Sequence, residues 1–313
     1  MNLNPEQTAF LFPGQGSQTL GMGAGLSAAY NIAQDTFIDA DQVLGFSIKE
    51  IAWQGPSEKL NDTQYTQPAL MVHSVAALRV FDELFPGFNP KFVAGHSMGE
   101  HTALVASESL GFESALRLAR TRGESMKSAD EIAPGGMAAI IGLKIPLLEE
   151  ICIQASQGAE IVQVANDNCP GQVVISGSTP ALERAMELSR AAGARLTKRL
   201  QISIAAHSPL MESAQERYAA AVSSAPLTSP SIPIVGNVHA VPMHNQQEIR
   251  EDLQAQLTSR VRWTESIQYM IDQGIINFIE IGTGSVLVGL LKRINRSVNR
   301  FYFGEPEDIA QFV

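Results

Sequence analysis

Residues 91–107 read KFVAGHSMGEHTALVAS. A short apolar run at 92–94 has the character of a strand. Ser97 follows in a tight turn between Gly95 and Gly99, and a helical pattern starts at about Met98. The G-x-S-x-G spacing alone decides little: in a 313-residue chain with 25 glycines it turns up by chance in about one sequence in ten. Its setting carries more weight. Strand, turn and helix in that order expose a serine hydroxyl at the carboxyl edge of a sheet, and the free N–H groups of the helix start favour negative charge there. Ser97 is therefore a candidate nucleophile, the alternative being an ordinary serine in a glycine-rich loop.

Working outward, short apolar strands alternate with amphipathic helices: a strand at 8–12, a helix at 69–85, a strand at 92–95 and the helix after Ser97. This alternation predicts an α/β domain with a mostly parallel sheet. From about 131 the rhythm changes. GGMAAIIGL, IPLLEEICIQASQ, AEIVQVAND, GQVVISG, TPALERAMELSRAAG and ARLTKRLQIS read β-α-β-β-α-β, the ferredoxin-like order. The α/β pattern then resumes, with strands at 232–238 and 276–282 and a final helix near VLVGLLKRIN. The expected organisation is a large α/β subdomain in two parts, 1–130 and 203–313, with a ferredoxin-like small subdomain at 131–202.

With 45% hydrophobic and 17% charged residues the chain can bury a sizeable core. A net charge of −10 argues against a nucleic-acid partner, which would need a basic face. Cys152 and Cys169 form no C-x-x-C pair and suggest no disulfide framework, which fits a reducing cytoplasm. The N-terminal stretch has no secretory signal character, and no apolar run approaches the roughly 18 residues of a membrane span, so no membrane association is expected. Lys292, Arg293, Arg296 and Arg300 form a basic cluster suited either to an acidic partner or to a solvated helix end.

Four groups of residues could carry chemistry. FLFPGQGSQ, residues 10–18, places a glycine-rich turn directly after the first strand. It fits neither a dinucleotide fingerprint, since Thr19 stands in the sixth position from Gly14, nor a P-loop. In a doubly wound sheet its Gln15 can face the same edge as Ser97. Of the six histidines, His96 reads as holding the turn and His101 as structural, while His239 and His244 flank a polar loop. His207 ends an apolar run and begins a turn, where a side chain reaches the rim of a site; a core or capping role is the alternative. None has metal-ligand spacing, so no metal is expected. Finally, the helix beginning at 112 carries an apolar stripe through Phe112, Ala115, Leu118, Ala119, Met126 and Ala129, and Arg122 falls on it. Its polar face offers opposite-sign pairs at 113/117 and 120/124. A guanidinium pointed inward needs an anion, since an unpaired buried charge is very costly. That anion is either an internal carboxylate or a substrate carboxylate, whose planar geometry arginine matches.

Taken together, FLFPGQGSQ (10–18), TQPAL (66–70), AGHSMGEHTALVAS (94–107), TRGESM (121–126), NCPGQVVISG (168–177), AAHSPLM (205–211), VRWTESIQYM (261–270) and FIEIGTGSVLVGLLKRI (278–294) resemble the malonyl-CoA:acyl-carrier-protein transacylase family, in the family's order. The resemblance implies an α/β-hydrolase-like large subdomain with a ferredoxin-like insertion. It implies an acyltransferase that moves malonyl from malonyl-CoA to an acyl carrier protein in fatty-acid or polyketide synthesis. Ser97 matches the acylated nucleophile, His207 its general base, and Gln15 with the Met98 amide the oxyanion hole. Arg122 matches the arginine that grips the malonyl carboxylate, and Gln256 the position whose backbone carbonyl orients the histidine. His96, Asn166, Asn168 and Ala206 match pocket-lining positions. Coenzyme A and phosphopantetheine enter as substrate and as part of the partner, so no cofactor is implied, and a cytoplasmic monomer is expected. The 204–207 segment, Ile-Ala-Ala-His, matches neither the H-A-F-H of malonyl-selective synthase domains nor the Y-A-S-H of methylmalonyl ones. Another extender such as methylmalonyl-CoA, or a thioester hydrolase of the same fold, is the alternative.

Overall fold

A computed structural model of the chain describes residues 3–202 and 204–312. The expected subdomain limits at 1, 203 and 313, and the end of the strand expected in ARLTKRLQIS, lie outside the described residues. The first strand, β1 (Thr8–Phe12), has no charged residue and is buried along its whole length, as a central parallel strand must be. Its side chains divide by alternation: Phe10 and Phe12 enter one hydrophobic cluster, Ala9 and Leu11 another on the opposite face. β1 pairs in parallel with β2 (Phe92–Gly95), and Phe12 stands opposite Gly95. The chain therefore leaves both strands at the same level. The PGQG turn and the Ser97 turn emerge side by side at the carboxyl edge.

The other strands of the large sheet are β7 (Ile234–Val235), β8 (Pro242–Met243), β9 (Asn277–Ile281) and β10 (Asn299–Phe303). The order is β10-β9-β1-β2-β7-β8, parallel except for the hairpin partner β8. The small sheet comprises β3 (Gly135–Ile141), β4 (Val162–Cys169), β5 (Gln172–Ser178) and β6 (Leu196–Arg199), in the order β4-β5-β3-β6 and antiparallel throughout. Its helices, Ile145–Ala155 and Thr179–Ala191, bury Leu148, Ile151, Leu182 and Ala185 with Ile140 and Ile175 in a third core. That is the ferredoxin-like arrangement expected of the insertion, its elements running from Gly135 to Arg199, while the preceding helix ends at Ile132. β4 is also the seam between the two parts: Asp167 N–H donates to Val261 O at 2.9 Å, and Val261 N–H to Ala165 O at 2.8 Å.

Several elements depart from the sequence reading. The helix expected at 69–85 runs Thr63–Leu84, with Asp62 as its N-cap and Pro68 inside it. A proline there leaves the carbonyl of Gln64 without its helical donor, and Arg120 Nη1 supplies one at 2.7 Å. The strand expected at 232–238 is only two residues long, because the chain turns at Gly236 and drives Asn237 under the Ser97 turn. The helix near the end is not the last element, since β10 adds an edge strand beyond β9. On the helix Phe112–Ile132, the 120/124 pair forms at 2.7 Å, but Arg117 reaches the carbonyl of Val43 in place of Glu113. Arg293 of the basic cluster is engaged by the small subdomain, donating to Gln172 Oε1 and Pro170 O.

Two glycines let these pieces approach. A methyl group on Gly95 would lie 2.0 Å from the carbonyl carbon of Gly99 and 2.2 Å from the amide nitrogen of Glu100. On Gly14 it would lie 2.4 Å from the carbonyl oxygen of His96. Those neighbours are backbone and no rotamer change relieves them. Gly95→Ala is therefore expected to lower the free energy of unfolding by about 3 kcal/mol or more in urea titrations. Gly111→Ala, where a Cβ meets nothing within 4 Å, should cost less than about 1 kcal/mol. Equal effects at the two sites would show that the close approach at the turn is not what the glycine serves.

Candidate active site

Ser97 stands between β2 and the helix Glu100–Ala106, in a 3₁₀ turn (Ser97–Gly99), with φ of +52°. A non-glycine residue in the left-handed region carries strain of about 1–2 kcal/mol, which the surroundings must hold. Ser97 N–H donates to Asn237 Oδ1 at 2.7 Å, and Ser97 O accepts from Gln256 Nε2 at 3.1 Å. The peptide is pinned at both ends, and the hydroxyl points into the pocket.

His207 lies 110 residues further on, and its Nε2 is 2.8 Å from Ser97 Oγ. Its Nδ1 faces two carbonyl oxygens, Gln256 O at 2.9 Å and Ser259 O at 3.2 Å. Carbonyls only accept, so the ring proton sits on Nδ1 and Nε2 is left as an acceptor for the serine proton. No carboxylate is required to set that tautomer. Burial, and then the charge of Arg122, push the imidazole pKa down to about 3, so the ring is neutral and basic-side ready near neutral pH. Like Ser97, His207 has a positive φ, +60°.

Arg122 is 1% exposed and takes the place that the helix periodicity assigned to it. Nη1 donates to Gln67 Oε1 at 3.0 Å, and Nη2 to Gln256 Oε1 at 2.7 Å and to Ser97 Oγ at 3.0 Å. Every one of these acceptors is neutral. Nε is buried without a partner, and burial draws the guanidinium pKa down to about 10, which still leaves it charged. The internal salt bridge weighed from sequence is thus not formed among the described residues. The guanidinium is buried with one N–H unpaired and no direct ion pair among the described residues.

The remaining expected residues assemble around these three. The cavity is lined by Gln15, His96, Asn166, Asn168 and Ala206 together with Ser97, Arg122 and His207. The β1–β2 register brings in Gln15, whose Nε2 rests on Thr63 Oγ1 at 3.1 Å. His96 Nε2 meets Asn168 Oδ1 at 2.9 Å, and its ring packs edge-on against Trp263. Met98 buries its side chain, while its amide follows Ser97 in the turn. Gln256 contributes through its side chain as well as its backbone. His101 is buried between Met98 O and Tyr218 OH, as a structural residue; His239 and His244 are exposed, away from the pocket. Sequence reasoning missed Asn237 and Glu100, which lie beneath the turn. Glu100 stood inside the quoted motif, but nothing in its spacing shows that it is buried. Asn237 sat in a segment read as strand and polar loop.

This geometry can be set beside known proteins. Residues 9–305 match the model of the acyl transferase domain. The malonyl CoA-acyl carrier protein transacylase of Escherichia coli K12 is 41% identical over 304 residues, covering 97% of this chain and 98% of that protein. The protein of the same name from Bacillus subtilis is 40% identical over 301 residues, 96% of this chain and 94% of its own length. Among solved structures, the malonyl CoA-acyl carrier protein transacylase of Coxiella burnetii superposes with a TM-score of 0.95 at 40% identity, covering 99% of this chain and 97% of that one. A type II PKS acyl-carrier protein in complex with its malonyl-transacylase gives 0.94 at 39% identity, with 97% and 98% covered. Since the matched segment takes in both parts of the large subdomain and the insertion between them, the chain belongs to the acyl transferase family.

Proposed function

We propose that this protein transfers a malonyl group from malonyl-CoA, through an acyl-Ser97 intermediate, to the phosphopantetheine thiol of an acyl carrier protein. The relatives named above support the reaction, and the observation that carries it is the buried Arg122 guanidinium beside the Ser97–His207 pair. A thioester with a free carboxylate at its far end meets both. The carboxylate takes the idle side of the guanidinium, which sets the carbonyl carbon against Ser97 Oγ. His207 Nε2 accepts the serine proton as Oγ attacks. The developing oxyanion is received by the Met98 N–H and Gln15, each such donor being worth about 10²–10³ in rate. The C–S bond breaks, and the coenzyme A sulfur leaves with the proton from His207 Nε2.

In the second half His207 takes the proton of the phosphopantetheine thiol, whose sulfur attacks the acyl-serine ester. Ser97 Oγ departs and recovers its proton, the sequence expected of ping-pong covalent catalysis. Met126, Met137, Val174, Leu200, Ile202 and Ile204 form the apolar part of the lining, a surface that favours an incoming thiol over water. Ala206 adds little bulk next to His207, leaving room for an α-substituent, so the malonyl preference rests on the carboxylate grip and the relatives. Coenzyme A and phosphopantetheine enter as substrates, and no resident cofactor is needed. One chain supplies every group named, consistent with a monomer. The thiols of Cys152 and Cys169 are free and buried, consistent with the cytoplasm.

Ser97→Ala is expected to form no covalent adduct with malonyl-CoA by intact mass, with its melting temperature close to wild type. An adduct of undiminished yield would place the nucleophile elsewhere. Arg122→Ala removes a charge-assisted bond of roughly 1.5–3 kcal/mol, so kcat/KM for malonyl-CoA should fall from about tenfold to more than a hundredfold. Acetyl-CoA, with no carboxylate, should be spared, and an equal loss for both substrates would sink the carboxylate-grip role.

The pH profile offers a separate check. The neutral imidazole is the active form, so kcat/KM falls as pH drops through the His207 pKa of the free enzyme. Burial and Arg122 hold that pKa to about 3, which keeps the acid limb due to His207 well below the ordinary histidine range. Removing the Arg122 charge raises the pKa and should move that limb to higher pH. A limb unmoved in Arg122→Ala would show that the arginine does not act on His207.

A further inference from the structure

One buried carboxylate has no part in the proton transfers above. Glu100, 1% exposed, opens the helix three residues past Ser97. Its Oε1 accepts from the Asn237 backbone N–H at 2.8 Å and from Asn237 Nδ2 at 2.7 Å, and its Oε2 accepts from Gln256 Nε2. The same two amides hold the Ser97 peptide. Asn237 Oδ1 takes the Ser97 N–H, while Gln256 Nε2 reaches Ser97 O and Gln256 Oε1 takes Arg122 Nη2.

A primary amide turned over by a half rotation has nearly the same shape, so only the polarity of its partners selects an orientation. A carboxylate only accepts. It therefore draws both NH₂ groups toward itself and leaves both carbonyl oxygens directed at the Ser97 N–H and at Arg122. Glu100 also remains one amide away from Arg122. A direct ion pair would occupy the guanidinium; the intervening Gln256 supplies orientation and leaves the arginine open to an incoming carboxylate.

Asp252 packs against Glu100, and burial pushes both carboxyls above their ordinary range, Asp252 adding to the rise at Glu100. Both Glu100 oxygens face N–H donors, and those donors from Asn237 and Gln256, with the Arg122 charge, oppose the rise at Glu100 and favour its acceptor form.

We propose that Glu100 is a positioning residue for acyl transfer, clamping the Ser97 turn through Asn237 and Gln256 and presenting Gln256 Oε1 to Arg122. This rests on Ser97 being the acylated nucleophile. Glu100→Gln keeps the shape but replaces one acceptor by a donor, so one of the two amides must turn over or lose its bond. Rapid-quench acylation by malonyl-CoA, read by intact mass, should slow by about tenfold to a hundredfold, with kcat falling in step and KM changing less than about threefold. Acetyl-CoA should slow by a similar factor, unlike the malonyl-selective loss expected of Arg122→Ala.

Asn237→Ala removes one arm of the same clamp, so the Glu100→Gln/Asn237→Ala double variant should be little worse than the poorer single one. Losses that multiply, an unchanged acylation rate in Glu100→Gln, or a loss confined to KM would each overturn the proposal. If Glu100→Gln does not fold, Asn237→Ala carries the test, and a wild-type acylation rate in it overturns the proposal. Absence of a wild-type adduct at Ser97 would overturn the functional reading and the proposal together. A normal wild-type adduct with undiminished rates in the variants overturns the role of Glu100 alone.

Discussion

The left-handed conformation of Ser97 is the constraint around which the molecule is arranged. A serine at φ of +52° does not hold that geometry by its own preference, and each neighbour contributes to holding it. Gly95 and Gly14 omit the methyl groups that would keep strand, turn and loop apart. The parallel register of β1 and β2 sets Gly95 opposite Phe12 and carries Gln15 to the same edge. Asn237 and Gln256, from two distant segments, close on the Ser97 N–H and C=O. The strain is local, while the groups that restrain it come from nearly the whole chain.

A second arrangement follows from burying charge. Arg122, Glu100, Asp252 and His207 are all at most 3% exposed, within a core that would expel any one of them alone. They are not joined as direct ion pairs. A neutral amide separates Glu100 from Arg122: Gln256 stands between them, and its backbone carbonyl fixes the His207 tautomer. Field and orientation are thereby supplied without neutralising the arginine. Burial, and then the charge of the same arginine, depress the His207 pKa, so the imidazole beside Ser97 is held neutral.

Much of this was legible in the residues. The strand at 8–12, the strand–turn–helix around Ser97 and the β-α-β-β-α-β order of the insertion follow from apolar periodicity and glycine placement. Arg122 stood out because a charge on an apolar helical stripe has few explanations. The errors also have physical causes. Pro68 hid the first turns of the Thr63–Leu84 helix, since its missing N–H is compensated by Arg120, a partner 52 positions away in the chain. β7 shrank to two residues because Asn237 turns to meet Ser97, and the 113/117 pair gave way to the Val43 carbonyl.

Local chemistry thus determined the elements, the subdomain order and the candidate nucleophile, because helix and strand periods and turn residues act over a few positions. Resemblance then tied Ser97, His207, Arg122, Gln15 and Gln256 to one site. Only the tertiary structure decided which partners each buried polar group meets. The 2.8 Å approach of His207 to Ser97, the bond from Arg122 to Gln256 and the bonds from Asn237 and Gln256 to Glu100 join segments more than a hundred residues apart. Hydrogen-bond polarity acts only between groups already brought within about 3 Å of each other, and that proximity is a property of the folded chain.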